Sequence, residues 1–331
     1  MYSTLKELVK YRCVSGREGQ VADQIERMVT PYADSIKKDA MGNRIAFKKG
    51  ARDDAKKLMF CAHMDEIGFM VTYIEDEGFV RFAAIGGINF TAAAFTEVTF
   101  ENGTKGVLVP ESGTKAEKIA FDTCYVDIGA KSKKEAEKKV KIGDCFALNA
   151  EVQRLASGRV CGRPIDDRIG CAVLVKAMQK IEKCENDTYF VFSVQEEVGI
   201  RGSKTATYGI MPDYGVAVDI CGAAIPGDKC CGIELGKGAT IKIKDASVMC
   251  DGEFVKTVQD IADEHKITWQ PEILLAGGTD TASMQMTGAG CRALGISIPT
   301  RYAHTAVETI DLKDADSAAA LVCAIASTKL D

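Results

Sequence analysis

The sequence predicts an α/β fold built from both ends of the chain and interrupted by a β-rich insert. Apolar strand-like runs alternate with helical segments up to about residue 67 and again after Arg163. Between roughly residues 68 and 163 the texture changes to short alternating strands separated by turns. The 331 residues, 46% of them hydrophobic, supply apolar material for one large or two medium domains. The simplest division assigns 1–67 and 164–331 to the α/β domain and 68–163 to the insert.

The first 60 residues read as an amphipathic helix, a turn at Ser15-Gly16, a second helix through Met28, two short strands split by Gly42-Asn43, and the apolar strand Lys57–Ala62. In the insert, FMVTYI, GFVRFAAI, FTEVTF and TKGVLV alternate as half-buried strands do. The basic run Lys131–Val140 contains SKKE, the form of a capping box, which predicts a short solvated helix rather than a ligand site. After Arg163 come a helix from Arg168, the strand TYFVFSV, a helix after Gly202 and the strand YGVAVDI. Helices at Gly252–His265, Thr281–Thr287 and from about Lys313 to Lys329 follow, and Pro299 is expected to break the strand that precedes His304.

Composition excludes several classes of function. A net charge of −5 gives no support to nucleic-acid binding. No stretch approaches the ~18 apolar residues of a membrane span, and the N-terminus lacks a signal-peptide core, so a cytoplasmic location is expected. The 13 cysteines are odd in number, scattered and without a C-x-x-C pair, which fits reduced thiols. The adjacent Cys230 and Cys231 read as buried or bystander thiols rather than reactive ones.

Of the three histidines, His63 lies in AHMDEIG with Asp65 two residues on, and His304 lies in IPTRYAHTAVE. Carboxylates cluster near the ends of apolar strands: Asp166 and Asp167 in GRPIDDRIG, Glu196 and Glu197 after FVFSVQ, and Asp219 closing YGVAVDI. In an open α/β sheet those strand ends form the ligand crevice. Each motif alone is equally compatible with helix capping or an exposed turn. Together, so many acids would repel one another unless a cation compensates them. Histidine nitrogen with carboxylate oxygen and no cysteine suits zinc, cobalt or manganese, and two such ions bridged by one carboxylate are a known hydrolytic design. The adjacent glutamates diverge at a strand end, so one would bind metal and the other would take a proton from water. Serine-nucleophile and phosphate-loop motifs are absent.

AHMDEIG, DIGAKSKKEAEK, DDRIG, VQEEVGIRGS, VAVDI, GGTD and IPTRYAHTAVE, in this order and across essentially the whole chain, resemble the M42 family of metallo-aminopeptidases, which includes glutamyl and tetrahedral aminopeptidases. The resemblance implies a mixed sheet flanked by helices in a zinc-peptidase-like domain, a PDZ-like insert used for dimerisation, and a hollow dodecamer assembled from dimers. It implies two divalent ions per subunit (zinc, cobalt or manganese), with His63 and Asp219 on opposite sides of the pair, Asp166 bridging, and Glu197 and His304 completing the ligands. Asp65 would orient His63, and Glu196 would be the general base that activates a bridging water for release of N-terminal residues from peptides. A related deacylase or amidohydrolase, or a glycoside hydrolase of the kind some family members are labelled, are the competing readings. The sequence departs from the family after Gly86-Gly87, where INFTAAAFTEV stands, and at CGAAIPGDKCCG, so contacts of the insert and the cleft border are expected to differ there.

The metal reading has a direct test. Dialysis against a strong chelator is expected to abolish peptidase activity, and cobalt, zinc or manganese to restore it; full activity in verified metal-free protein contradicts it.

Overall fold

The computed structural model describes residues 1–227 and 232–331, so Cys230 and Cys231 lie outside the described residues. In chain order the elements are α1 (Tyr2–Leu8), α2 (Gly19–Val29), β1 (Ser35–Lys38), β2 (Arg44–Lys48), β3 (Lys57–His63), β4 (Gly68–Ile74), β5 (Val80–Ile85), α3 (Phe90–Ala93), β6 (Thr96–Phe100), β7 (Lys105–Pro110), β8 (Cys124–Asp127), α4 (Lys133–Ala136), β9 (Cys145–Leu148), β10 (Gln153–Arg154), β11 (Arg159–Gly162), α5 (Arg168–Lys180), β12 (Asp187–Ser193), α6 (Arg201–Ile210), β13 (Tyr214–Gly222), β14 (Ala239–Lys244), α7 (Gly252–Glu264), β15 (Trp269–Ile273), α8 (Asp280–Met286), β16 (Arg292–Arg301), β17 (Glu308–Asp311) and α9 (Leu312–Ser327).

One mixed sheet runs β1-β2-β12-β3-β13-β16-β17-β11-β10, with β14 pairing β16 and β15 pairing β14. Its centre, β12-β3-β13-β16, is parallel throughout. Helices cover both faces of these strands, which is why they read as continuous apolar runs rather than alternating ones. Leu58, Phe60 and Ala62 of β3 face the core shared with α1, α2, α5 and α9, whereas Met59 and Cys61 face α6 and α8. Because β3, β12 and β13 are parallel, their carboxyl ends open at one edge of the sheet.

The insert is a closed six-stranded barrel, β4-β5-β8-β7-β6-β9, where the resemblance implied a PDZ-like domain. Closure comes from β9, which pairs with both β4 and β6 and leaves no open edge. Its interior is aromatic: the Phe146 ring stacks on Phe69 at 5.0 Å and meets Phe82 at 5.5 Å and Phe100 at 4.6 Å. The barrel strands end at Leu148, and β10 and β11 join the large sheet through β17. The SKKE helix forms as α4 but without the capping box: Ser132 makes no side-chain cap bond, and the Glu135 carboxylate accepts from the Lys131 N–H at 3.0 Å instead. Pro299 does not break β16, which continues to Arg301. It falls between Ser297, where β14 pairs, and Thr300, where β17 takes over the same edge.

Phe146 sits at the hub of the barrel core and is 1% exposed. Phe146→Ala is expected to cost about 3–5 kcal/mol of barrel stability, and Phe146→Leu clearly less. Denaturant unfolding followed by hydrogen exchange at β4–β9 measures it; an unchanged midpoint contradicts the packing argument.

Candidate metal centre

His63 ends β3, the glutamate pair follows β12, Asp219 lies near the carboxyl end of β13 ahead of Ile220 and Cys221, and Asp166 leads into α5. The structure brings all of these together with His304, around a cavity of about 250 Å³ whose wall continues through Ile220, Leu274 and Gly277–Thr279. Asp166 is the hinge of the arrangement. Its Oδ1 lies 3.2 Å from His63 Nε2 and its Oδ2 3.2 Å from His304 Nε2. Asp219 Oδ1 stands 3.9 Å from His63 Nε2, and Glu197 Oε2 stands 3.6 Å from His304 Nε2. One carboxylate therefore faces two histidines, each with a further carboxylate beside it.

Both imidazoles are turned by main-chain oxygens. His63 Nδ1 donates to the Asp65 carbonyl at 3.1 Å, with the Asp65 carboxylate 3.6 Å away, and His304 Nδ1 donates to the Gly87 carbonyl at 2.8 Å. A carbonyl only accepts, so Nδ1 carries the proton in both rings and Nε2 is the nitrogen offered to the cluster. The buried Asp65 carboxylate does more than face His63. It accepts from Ser15 Oγ at 2.7 Å, from the Glu196 N–H at 3.0 Å and from the Glu197 N–H at 3.2 Å, fixing the backbone of both glutamates.

Sequence reasoning missed the groups that support Asp166. Glu308 Oε2 accepts from the main-chain N–H of Ile165 at 2.6 Å and of Asp166 at 3.1 Å, and Glu308 Oε1 pairs with Arg163 at 3.2 Å. Arg163 also faces Glu66 at 3.3 Å, and all three side chains are buried. The signal was present, since Glu66, Arg163 and Glu308 all lie inside the quoted motifs. Asp167 also brings an oxygen within 4.8 Å of His63 and Asp219. Its Oδ1 caps α5 by accepting from the Gly170 N–H at 3.0 Å and its Oδ2 accepts from the His63 N–H at 3.2 Å, so both oxygens already serve the main chain.

The electrostatics are those of a site prepared for cations. Burial, reinforced by Asp166, pushes the Glu197 carboxyl up to about 8, and burial pushes Asp219 up to about 7. Burial also drives Glu196 well above the carboxylate range. Asp166 moves the other way: hydrogen bonds to both histidines overcome its burial and hold it low. The hydrogen bond to Asp166 raises His304 to about 10, against its partial burial. Two imidazole nitrogens and three or more carboxylates with no thiolate, crowded until protons are retained, form a donor set that fits hard or borderline divalent ions.

The sequence profile described as M42 glutamyl aminopeptidase matches residues 42–321. A putative aminopeptidase of Acetivibrio thermocellus is 42% identical over 326 residues, which cover 97% of each chain. Among solved structures, an aminopeptidase from the archaeon Desulfurococcus kamchatkensis superposes with a TM-score of 0.95 at 33% identity, covering 98% of this chain and 94% of that one. The TET1 peptidase of Pyrococcus horikoshii, described as assembling into a tetrahedron or a large octahedral shell, superposes with a TM-score of 0.88 at 32% identity, covering 98% of both chains.

Proton competition gives the centre a pH dependence of defined sign. A ligand must be deprotonated to coordinate, and in metal-free protein Asp219, Glu197 and His304 hold their protons up to about 7, 8 and 10. Affinity for zinc is therefore expected to rise with pH across about 7 to 10, and binding to release protons. Calorimetry in buffers of different ionisation heat measures both; a flat affinity without proton release contradicts the assignment.

Proposed function

The chain belongs to the M42 aminopeptidase family, and on that premise we propose that it releases N-terminal residues from peptides at a pair of divalent ions held by His63, Asp166, Glu197, Asp219 and His304. The observation that carries this is the position of Asp166, whose two oxygens each face a different histidine at 3.2 Å. Because Asp219 lies 3.9 Å from His63, these two would share one ion rather than stand on opposite sides of the pair as the resemblance implied; Glu197 with His304 would hold the other, and Asp166 would serve both. When bound, such ions polarise a carbonyl and lower the pKa of water; zinc, cobalt and manganese all suit these donors.

The remaining chemistry falls to the protein. Glu196 lines the cavity, yet Glu197 is the glutamate whose oxygen lies with His63 and Asp166 within 4.8 Å. Glu196 is thus free to act as base once bound cations offset the burial that raises its carboxyl: its carboxylate takes a proton from the attacking water and delivers it to the nitrogen of the departing peptide. Asp65 supports the division of labour by holding both glutamate N–H groups, so that the two side chains project to different places. Glu308 and Arg163 keep the Asp166 main chain in position from behind.

We assign the barrel to assembly of a homo-oligomer built from dimers into a tetrahedral dodecamer. Tyr73, Phe95, Val107 and Phe121 of the insert are exposed by 49%, 76%, 41% and 53%, apolar side chains available for contact between subunits. The shells described for the Pyrococcus horikoshii peptidase support the same reading. Among the described residues no helix is long and apolar enough to cross a membrane, and we place the protein in the cytoplasm, where its described free thiols would stay reduced.

The two glutamates should fail differently. Glu196→Gln keeps the shape and removes the base, so metal content should hold while kcat falls by roughly two or more orders of magnitude. Glu197→Gln replaces a charged ligand with a neutral one, so affinity for one ion should drop and activity should recover in part at high metal. Metal analysis and rates across a metal titration decide it. Loss of metal in the Glu196 variant alone reverses the roles, and full activity in both variants removes this cavity as the active site.

A further inference from the structure

The two histidines are held by the same device from different places. His63 is turned by the carbonyl of Asp65, which belongs to its own strand end, whereas His304 is turned by the carbonyl of Gly87, which belongs to the turn after barrel strand β5. The Gly86-Gly87 turn is shaped for this approach. Gly86 has φ +78°, and a Cβ there would stand 2.6 Å from Ile67 Cγ2 and 3.3 Å from Glu197 Cβ. A Cβ on Gly87 would stand 3.3 Å from His304 Nδ1 itself. Asn89 then anchors the following α3 by accepting from the Ala92 N–H at 3.1 Å, so the turn is fixed on its far side as well. His304 needs an external holder. It is 38% exposed at the side chain, lies outside any strand or helix, and has φ +61°, a left-handed conformation that a non-glycine residue keeps only under constraint.

We propose that the Gly86-Gly87 turn of the barrel is a positioning element for His304, so that the insert completes the metal centre as well as serving assembly. The Gly87 carbonyl fixes the tautomer and the ring plane; without it the imidazole loses the main-chain tether it has among the described residues, and Nε2 no longer stays aimed at Asp166 and Glu197. The barrel supplies no ligand, yet its seating decides how well the ion beside Glu197 is held. This rests on the reading of His304 as a ligand.

The test uses full-length protein labelled with 15N only at histidine, of which there are three. In the zinc-loaded protein, solid-state 15N–1H spectra should show His304 with a hydrogen-bonded, slowly exchanging Nδ1 proton. Gly87→Val should remove that signature and weaken one of the two zinc ions by roughly 10- to 100-fold while the other stays bound. Gly103→Ala strains a positive-φ turn of the same barrel with no neighbour within 4 Å, and should change neither readout. An Nε2–H tautomer in the unmutated protein overturns the proposal, and this measurement stands even where Gly87→Val fails to fold. Equal weakening by Gly87→Val and Gly103→Ala also overturns it, since the barrel would then act only through stability. His304→Gln separates the premise from the proposal: loss of an ion there with none in Gly87→Val overturns positioning alone, whereas two ions held at full affinity in His304→Gln overturn the ligand reading itself.

Discussion

The centre depends first on one buried carboxylate. Asp65 is fully buried, and its two oxygens receive a hydroxyl from the α1–α2 connection and the main-chain N–H groups of both glutamates, while its carbonyl receives His63. Three chain segments distant in sequence thus meet at one residue. An ionised carboxylate deprived of water is expensive, and the cost is met only when each oxygen keeps its donors. The donors and the imidazole hold Asp65 below the usual carboxylate range in spite of its burial. Any movement of the glutamate turn away from β3 would strand that charge, so the spacing between His63 and Glu196–Glu197 is enforced by desolvation rather than by the stiffness of the turn.

The same logic governs the layer beneath Asp166. Arg163, Glu66 and Glu308 are buried together with Arg168, whose guanidinium donates to the carbonyls of Met64, Leu8 and Tyr11. Buried ion pairs of this kind contribute little net stability compared with well-packed apolar groups. Their value here is specificity of position: Glu308 directs its second oxygen at the Asp166 main chain, and burial raises its carboxyl to about 7 although Arg163 opposes the shift. A hydrophobic substitute would fill the space and leave two main-chain N–H groups without acceptors.

The convergence of the strand-end histidine and carboxylates was legible in the sequence because a strand exposes its chemistry only where it stops. His63 ends β3, Glu197 lies just beyond β12 and Asp219 stands near the carboxyl end of β13, before Ile220–Gly222, and such ends converge in an open sheet whatever the loops do. The starts of α5, α7 and α9 were read to within a few residues, and each is capped by an aspartate: Asp167 caps α5, Asp251 caps α7 and Asp311 caps α9. Closure of the barrel was not legible. Alternation along β4–β9 is the same for a sandwich and a barrel, and the deciding pair, Phe69 with Phe146, lies far apart in sequence. The holders of Asp166 and His304 were hidden for a like reason: Glu308 and Gly87 act across separations of 142 and 217 residues. Pro299 misled because local chemistry marks a strand break, whereas the change of partner from β14 to β17 occurs at that very position.

The path of the chain explains why an insert without ligands still belongs to the metal centre. The barrel leaves at Gly68, directly beyond the segment that carries His63 and Asp65, and the chain is back in the large sheet by β11, directly before the segment that carries Asp166. Arg163 clamps the exit and the return together, donating to the Ile67 carbonyl at 3.0 Å while facing Glu66 at 3.3 Å. Inserted domains usually hang from exposed linkers across which few contacts pass. Here the exit at Met64–Ile67 is buried and follows directly on His63, the return passes from a largely exposed stretch at 149–158 through β11 to the buried Arg163–Ile165 beside Asp166, and Gly68 itself is packed so closely that a Cβ would stand 2.3 Å from Val14 Cγ1. A force on the barrel therefore reaches the His63–Asp65 and Asp166 segments along the backbone and His304 through the Gly87 carbonyl. On the proposed assembly role of the barrel, contacts between subunits would act on all three at once, a physical route from assembly to the candidate metal centre.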